Sequence, residues 1–329
     1  MKAVVVTEPG VQVQDVAAPS PKPNEVLVRV RACGLNRADL MVASGMAHGR
    51  AGGAGTIVGL EFCGELVELG AEAKANTDLK PGDRVMCGGA SGWAEYAVAD
   101  WGRATKLPDA NVSWNEAATL STALNTMHNA VVTAGRMQQG ESVLVQGASA
   151  GVGLMAMQIA KHMGAAQVMG TSTNAERRAK LKDYGCDLAL DSKDPQWADR
   201  VLDATDGEGV DLIVDNVSGY TVNDSLRCAK VLGRIVNVGR LGGFQGAFNF
   251  DLHAARRIDY IGVTFRTRSI AEIREIARAM QADLGDAVAE GKLRLPIDSV
   301  YPFEQVADAL AHMKANQHFG KIVLEGPAD

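Results

Sequence analysis

The feature that most constrains the fold is a regular alternation of apolar strands and helices between residues 113 and 263. It opens at Ser113-Trp-Asn-Glu116, where Ser and Glu three residues apart form a capping box and predict a helix start. Strands that alternate with helices of about ten residues are typical of a parallel sheet with helical crossovers. The predicted strands are Ser142–Gln146, Gln167–Gly170, Leu188–Leu190, Asp211–Asp215, Arg234–Val238 and Tyr260–Val263, and the predicted helices are Gly151–Met163, Ala175–Tyr184, Trp197–Thr205 and Val222–Ala229.

The segments before and after this alternation have a different character. Val26–Arg31 alternates apolar and polar residues, as a half-buried strand does. Thr56–Leu69 and Glu95–Ala99 are further predicted strands, and the glycine turns between them favour a small barrel-like β domain. The C-terminal segment is mixed, with predicted helices at 270–290 and 303–316 and strands at 299–302 and 321–324. With 329 residues, the chain is long enough for two domains at roughly 100–200 residues each.

A glycine loop follows the strand Ser142–Gln146. It reads Gly147-Ala-Ser-Ala-Gly151-Val-Gly153, and a helix continues from it. Between a strand and a helix, such a loop turns backbone N–H groups outward at the positive end of the helix dipole, where a pyrophosphate binds. The loop departs from G-x-G-x-x-G, because Ala148 and Ala150 replace two of its glycines. A tight turn between strand and helix is the alternative interpretation, although the surrounding strands and helices favour a dinucleotide site.

The tip of the next strand indicates which dinucleotide. NAD-binding folds usually place an acidic residue there to accept hydrogen bonds from the ribose. Here the segment is Gly170-Thr171-Ser172-Thr173-Asn174, followed by Arg177 and Arg178 in a helix. Hydroxyl groups and a guanidinium can donate to a 2′-phosphate, which an acid would repel. We therefore expect NADPH rather than NADH, with a solvated helix face as the alternative role of the two arginines.

Charge and cysteine content exclude several classes of protein. The formal net charge of −6, with no run of Lys or Arg, argues against a partner that is nucleic acid or an anionic membrane. The five cysteines are odd in number and widely spaced, which is typical of reduced thiols in the cytosol. The N-terminal segment lacks the features of a signal peptide. We expect a soluble, cytoplasmic protein.

Several motifs in one order resemble the medium-chain dehydrogenase/reductase superfamily. They are the strip around residues 27–45, the segments 55–70 and 79–85, the loop 146–153, and Gly233–Gly239 and Gly320–Leu324. The resemblance implies an α/β fold of two domains. A GroES-like, β-barrel-type catalytic domain would comprise residues 1–118 and 266–329. A Rossmann domain with a doubly wound parallel sheet, residues 119–265, would bind NADPH.

Within that superfamily the chain resembles the zinc-free quinone oxidoreductases, the zeta-crystallin-like branch. Zinc-dependent members carry Cys where this chain has Asn36, and Gly-His-Glu where it has Gly59-Leu60-Glu61. Leu cannot bind zinc, and an Asn amide is a poor ligand beside a thiolate. We expect no metal. The branch often has a Tyr where this chain has Met41, so no tyrosine proton donor is assigned.

The resemblance also implies roles for individual residues. Asn36 is the candidate catalytic residue, with a buried amide that satisfies loop backbone as the alternative, and Asp39 is expected to be a helix cap. The expected cofactor-binding residues are Asn36 and Thr126 near the nicotinamide, Ser149, Gly151, Val152 and Gly153 at the pyrophosphate, Thr171, Ser172 and Arg177 at the 2′-phosphate, and Gly239, Arg240, Thr264 and Phe265 on the far side of the dinucleotide.

These residues favour an enzyme that transfers hydride from NADPH to a quinone or another activated alkene. Without a Lewis acid, such an acceptor is suitable because it delocalises the developing charge. One alternative is a reductase of enoyl thioesters, for which Arg37, Arg50, Arg266 and Arg268 are candidate contacts. Another is a non-catalytic, crystallin-like NADPH-binding protein. The resemblance implies a homodimer, and the glycine-rich stretch 45–55 is a candidate lid or a surface loop.

Overall fold

A computed structural model describes residues 1–8, 10–49, 52–108 and 112–327. The chain separates into two units: Met1–Asn125 together with Phe265–Asp329, called the β unit here, and Thr126–Thr264, called the nucleotide unit. The sequence places these boundaries at 118/119 and 265/266. None of the helices in the described ranges is long and apolar enough to cross a membrane.

The strands are numbered along the chain. They are β1 (Lys2–Thr7), β2 (Gly10–Asp15), β3 (Glu25–Gly34), β4 (Glu61–Leu69), β5 (Arg84–Gly88), β6 (Tyr96–Asp100), β7 (Ala104–Lys106), β8 (Ser142–Gln146), β9 (Gln167–Thr171), β10 (Leu188–Leu190), β11 (Val210–Asp215), β12 (Ala229–Asn237), β13 (Asp259–Gly262), β14 (Ile297–Tyr301) and β15 (Lys321–Glu325).

The helices follow the same numbering. They are α1 (Arg37–Ala43), α2 (Ala71–Asn76), α3 (Trp114–Ala117), α4 (Ser121–His128), α5 (Gly151–His162), α6 (Ala175–Lys180), α7 (Trp197–Asp203), α8 (Val222–Cys228), α9 (Phe250–Arg256), α10 (Ile270–Ala289) and α11 (Val306–Ala315). A π-helix, Asn129–Ala134, continues α4. The predicted capping box of Ser113 and Glu116 begins α3.

The β unit is built on a sheet that takes strands from both ends of the chain. Its order among the described strands is β14-β15-β3-β4-β5-β7, and β6 also pairs with β3. In β3 the side chains of Val26, Val28 and Val30 alternate into the core, where Phe62 and Trp93 are fully buried. The alternation predicted for Val26–Arg31 is therefore confirmed, because one face of this strand lies in the core.

The register of β3 places three later residues together. β15 runs antiparallel to β3 with Val323 opposite Gly34, and β4 runs antiparallel to β3 with Phe62 opposite Cys33. The first residues of β15 and β4 therefore lie beside the end of β3. These first residues are Lys321 and Glu61, and Asn36 lies two residues after the end of β3.

The nucleotide unit is a parallel sheet in the order β10-β9-β8-β11-β12-β13. The first strand, β8, lies in the middle, and the chain proceeds outward on one side and then on the other. This doubly wound order is that of a Rossmann fold, and the point where the order reverses lies between β8 and β11. The predicted fold class, α/β with a GroES-like and a Rossmann domain, is confirmed.

Some predicted boundaries are wrong. The strand predicted for Thr56–Leu69 begins only at Glu61, because Gly59 has a φ of +113° and a Cβ there would lie 2.4 Å from Trp93 Cδ1. The helix predicted for 303–316 starts as a 3₁₀ turn over Phe303–Gln305. Helix α9 was not predicted.

Candidate functional site

The glycine loop joins β8 to α5 and brings two chain segments very close together. A Cβ at Gly153 would lie 2.5 Å from the carbonyl oxygen of Gly147, and Gly147 itself has a φ of +69°. Only glycine allows this approach and this conformation without strain. The twelve-residue helix α5 begins at Gly151, so its first N–H groups have no partner within the helix. The conformation of the loop therefore fits a pyrophosphate, the group that the sequence predicts there.

The hydroxyl groups of the next strand tip pack against this loop. Ser149 Oγ and Ser172 Oγ are 2.9 Å apart. Thr171 is buried, and its hydroxyl donates to Gln146 Oε1 at 2.7 Å and accepts from the Gly147 N–H at 3.1 Å. The Thr171 hydroxyl thus connects the first residue of the glycine loop, Gly147, to the side chain of Gln146 at the end of β8. In this arrangement the expected contacts with a 2′-phosphate fall on Ser172 and Arg177.

The two arginines of α6 differ in their surroundings. Arg178 donates to the carbonyl oxygen of Ser172 at 2.7 Å and pairs with Asp191 at 3.2 Å. These contacts stabilise the segment that follows β9. Asn174 caps α6 by accepting from the Arg177 N–H at 2.9 Å, and the Arg177 side chain is half-buried. Of the two, Arg177 is the one assigned to a 2′-phosphate.

Most of the residues predicted to bind the dinucleotide lie at one edge of the nucleotide sheet. The glycine loop follows β8, Thr171 ends β9, Gly239 follows β12 and Thr264 follows β13. The carboxyl ends of parallel strands share an edge, and ligands of such sheets bind there. Arg240 donates to the carbonyl oxygen of Val238 at 2.9 Å. Thr126 lies on α4, and Phe265 is the first residue of the second segment of the β unit.

Two residues at this edge were missed by the sequence analysis. Asp215 ends β11 and Asn216 follows it, and both are buried. Asp215 Oδ1 accepts from the N–H groups of Val217 and Ser218, whereas Asp215 Oδ2 and Asn216 Oδ1 have no hydrogen-bond partner in the described part of the chain. Burial raises the pKa of Asp215. An acidic residue at the end of a buried strand, beside the reversal of strand order, is the signal that could have identified them.

The β unit holds Asn36 in a buried polar cluster. Lys321 Nζ lies 2.6 Å from Glu61 Oε2 and 3.0 Å from Asn36 Oδ1, and Asn36 Nδ2 donates to the same Glu61 oxygen at 3.0 Å. The other carboxylate oxygen of Glu61 accepts from the Thr122 N–H at 2.8 Å. The exposed fractions of the Lys321 and Glu61 side chains are 6% and 0%. Each charge is therefore paired and hydrogen-bonded, as burial requires.

Asp39 supports the same segment. Its carboxylate accepts from the backbone N–H of Asn36 at 2.7 Å and of Leu60 at 3.1 Å, so it caps α1 as predicted. Burial raises the pKa of Asp39 to about 7, opposed by these two donors and by the charge of Lys321, while Glu61 raises the pKa further. Through these two hydrogen bonds, Asp39 connects the backbone at Asn36 to the backbone at Leu60, the residue before Glu61.

The cluster does not fit a zinc ion. Its donors are an Asn amide and one carboxylate, Leu60 has no ligating atom, and the Lys321 ammonium already neutralises Glu61. Zinc sites use thiolates, imidazoles and carboxylates. The described ranges contain no group of three or more His, Cys, Asp or Glu residues that could hold a metal ion.

The remaining candidate residues are spread over the β unit. Arg37 is exposed and donates to Asn316 Oδ1 at 3.5 Å, and Arg268 pairs with Glu272 at 3.3 Å. Gly49 packs beside Arg266. Arg50 lies outside the described residues, as does part of the stretch 45–55, so the structure does not describe the candidate lid as a whole.

Comparison with known proteins matched a separate family model to each of two parts of the chain. An alcohol dehydrogenase GroES-like domain matches residues 22–109. A zinc-binding dehydrogenase domain matches residues 151–282, and this second range includes neither Asn36 nor Glu61. A quinone oxidoreductase of Pongo abelii is 31% identical over 313 residues, covering 94% of this chain and 92% of the relative.

Much larger proteins are also similar. A mycocerosic acid synthase-like polyketide synthase of Mycolicibacterium smegmatis is 30% identical over 321 residues, which are 94% of this chain and 14% of the synthase. The chain thus spans a small part of the length of the polyketide synthases it matches. Among solved structures, a mycobacterial protein in complex with NADPH has a TM-score of 0.87 at 27% identity, and the CurK enoyl reductase has 0.86 at 25%. Each alignment covers 99% of both chains.

Proposed function

The chain belongs to the medium-chain dehydrogenase/reductase superfamily of oxidoreductases, and we propose that it is a zinc-independent, NADPH-dependent reductase of quinones or other activated alkenes. NADPH, when bound, supplies the hydride. The observation that carries the choice of acceptor is the cluster around Asn36. It offers an amide hydrogen-bond donor held by a buried ion pair, in place of a set of metal ligands.

The preference for NADPH is supported by the strand tip after β9. Ser172 lies beside Ser149 of the glycine loop, Arg177 follows on α6, and the segment from Gly170 to Asn174 contains no acid. Donors on a strand tip that itself carries no acid suit a 2′-phosphate. The similarity to a mycobacterial protein solved with NADPH supports the same choice.

The chemistry of the acceptor follows from the donors. A quinone or an enone spreads the charge that develops during reduction, so a small number of preorganised donors is sufficient to stabilise it. Asn36 is the candidate donor, and water is the source of the proton that completes the reduction. Binding and orientation would supply most of the rate acceleration.

The test is NADPH oxidation with a panel of acceptors: 1,4-benzoquinone, 9,10-phenanthrenequinone, a linear enone and crotonyl-CoA. Turnover of the quinones or the enone, undiminished by a chelator, is the expected result. A preference for NADH, or loss of activity with the chelator, would contradict the cofactor or the zinc-independent part of the proposal. Binding of NADPH without turnover of any acceptor would indicate the non-catalytic alternative.

A reductase of enoyl thioesters is the second candidate, favoured by similarity to polyketide synthases and to the CurK enoyl reductase. The phosphates of a thioester carrier would need basic contacts, for which Arg37 and Arg266 are exposed. Preferential turnover of crotonyl-CoA in the panel, with a reduced kcat/KM in an Arg266→Ala variant for that acceptor alone, would support this reading over the first.

We also propose that the enzyme is a cytoplasmic homodimer that acts on small molecules, with neither nucleic acid nor membrane as a partner. Strand β13 is the last in the described nucleotide sheet, so one of its edges is open to pairing with a second copy. Tyr260 on this strand is 36% exposed and packs edge-on against Phe248.

A further inference from the structure

In the proposed function, the buried ion pair of Lys321 and Glu61 holds Asn36 in place, and its geometry indicates a more specific role. We propose that Lys321 is a positioning residue that, together with Glu61, fixes the direction in which Asn36 presents its second amide N–H to a reacting oxygen. The catalytic consequence rests on the proposed reductase function, whereas the positioning itself does not. The reasons lie in the geometry of three side chains.

The three contacts close a ring. Lys321 Nζ reaches both Asn36 Oδ1 (3.0 Å) and Glu61 Oε2 (2.6 Å), and Asn36 Nδ2 reaches the same Glu61 oxygen (3.0 Å). The partners also settle which end of the amide is oxygen. An ammonium has only donors and a carboxylate only acceptors, so a flipped amide would face NH₂ to the ammonium and oxygen to the carboxylate.

The ring uses only one edge of the amide. A planar amide has its carbonyl oxygen and the N–H cis to it on the same edge, and the 2.6 Å contact between Lys321 Nζ and Glu61 Oε2 closes the ring along that edge. The N–H trans to the oxygen points out of the ring. Asn36 is half-buried, whereas its two partners are buried, so part of Asn36 remains accessible. The N–H outside the ring is the donor that the proposed reaction requires.

The partners of Asn36 are themselves held in place. Glu61 begins β4 and Lys321 begins β15, and both strands pair with β3. The Thr122 N–H binds the far oxygen of Glu61 at 2.8 Å. On the other side, a Cβ at Gly34 would lie 2.7 Å from Glu61 Oε2, so only glycine leaves room for the carboxylate in this position. Groups on rigid elements hold a reacting side chain more precisely than groups on loops.

The first experiment observes the amide directly. The full chain is labelled with ¹⁵N-asparagine, and the side-chain NH₂ pair of Asn36 is assigned by its loss in Asn36→Ala. We expect Lys321→Met and Glu61→Gln to shift this pair while most other asparagine pairs stay in place. The exposed Lys314→Met on α11 is the matched control and should leave the Asn36 pair unchanged. An unshifted Asn36 pair in both charge variants would overturn the positioning role.

The second experiment is a double-mutant cycle in the NADPH oxidation assay. Misplacing a group that contacts the reacting atoms can lower the rate of the catalysed step by roughly a hundredfold. Lys321→Met should therefore lower kcat by about tenfold to a hundredfold, with little change in the KM for NADPH. Adding Lys321→Met to the Asn36→Ala variant should lower kcat by less than about twofold further, since the amide that Lys321 orients is absent from that variant. Lys321→Arg, which keeps the charge, should retain more activity than Lys321→Met.

A structural role alone would give another pattern. Lys321→Met would then lower kcat equally with and without Asn36, and that result would overturn the proposal. If Lys321→Met fails to fold, Lys321→Met combined with Glu61→Gln removes both charges and enters both experiments in its place. If the wild type reduces none of the acceptors, the proposed function fails, while the labelled amide still decides whether Lys321 orients Asn36.

Discussion

Asn36 shows how a single side chain depends on partners that are distant in the sequence. Glu61 follows it by 25 residues and Lys321 by 285, yet both lie within 3.0 Å of its amide. The residues at positions 36 and 60 are the reason why the sequence predicts no zinc site. They did not identify Lys321, because the motif that contains it reads as an ordinary strand start.

At the scale of residues, Arg177 carries a prediction about the cofactor. Replacing Arg177 with Ala removes the guanidinium assigned to the 2′-phosphate. Hydrogen bonds to charged groups are worth ~1.5–3 kcal/mol, so the KM for NADPH should rise by about tenfold to a hundredfold, with little change for NADH. Steady-state kinetics with both cofactors measures this, and Lys180→Ala on the same helix is the control. Equal effects on NADPH and NADH would remove the assigned role.

Asp39 carries a prediction about pH. Its pKa is raised to about 7 in the folded protein, above the value of an unfolded Asp, so the folded state holds this proton more tightly. The stability from this residue is present below about pH 4 and is lost as the pH rises toward 7, by at most about 1.4 kcal/mol per pH unit. Asp39→Asn cannot titrate and provides the reference.

The measurement is the difference in Tm between wild type and Asp39→Asn at constant ionic strength from pH 5 to 8. Asn cannot accept from both backbone N–H groups that Asp39 binds, so the variant carries a constant penalty. The advantage of the wild type should shrink as the pH rises from 5 toward 7 and should level off above that pH. An advantage that grows with pH would show that the pKa is lowered instead.

At the scale of elements, the glycine loop between β8 and α5 was predictable because all its signals are local. A strand, a run of small residues and a helix follow one another within a short stretch of chain, and alternation identified the neighbouring strands in the same way. Elements whose bounds depend on contacts with distant parts of the chain were harder to predict from the sequence. The segment before Glu61 looks like a strand, but the packing of Trp93 against Gly59 turns it away from the sheet.

The close approach of Gly153 to Gly147 predicts that a methyl group added at Gly153 will weaken the binding of NADPH. In Gly153→Ala the new Cβ would lie 2.5 Å from the Gly147 carbonyl oxygen and 2.7 Å from Ala148 Cα, so α5 must move away from the loop. Overpacking of this kind costs ~1–3 kcal/mol, and we expect the Kd for NADPH to rise by about tenfold. Fluorescence titration with NADPH measures it.

A control variant separates the position from the substitution. Gly89→Ala adds the same methyl group where the nearest atom, Phe62 Cε1, is 4.0 Å away. This variant should bind NADPH as the wild type does. Unchanged binding in Gly153→Ala would show that the loop does not depend on the close approach.

At the scale of the whole molecule, the open edge of β13 predicts how two copies associate. Val263 donates its N–H to Asn237 of β12, so the N–H groups of alternate residues, Tyr260 and Gly262, point away from β12. Gly262→Pro removes one of these outward donors without touching the inner ladder. Light scattering should show a dimer for the wild type and mainly monomer for this variant.

Gly262→Ala is the matched control, because nothing lies within 4 Å of a Cβ at this position. It should remain dimeric. A monomeric wild type, or a dimer that tolerates proline at Gly262, would place any interface elsewhere than on this strand.

The pairing of Glu61 with Lys321 also bears on the order in which the molecule can assemble on the ribosome. The two residues are 260 positions apart, and the whole nucleotide unit lies between them in the chain. Strands β8 to β13 can pair as soon as residue 264 has emerged, because their sheet needs no later residue. Glu61 must wait for β15, since a buried carboxylate without its counter-charge is strongly disfavoured. The domain that begins first is therefore completed last.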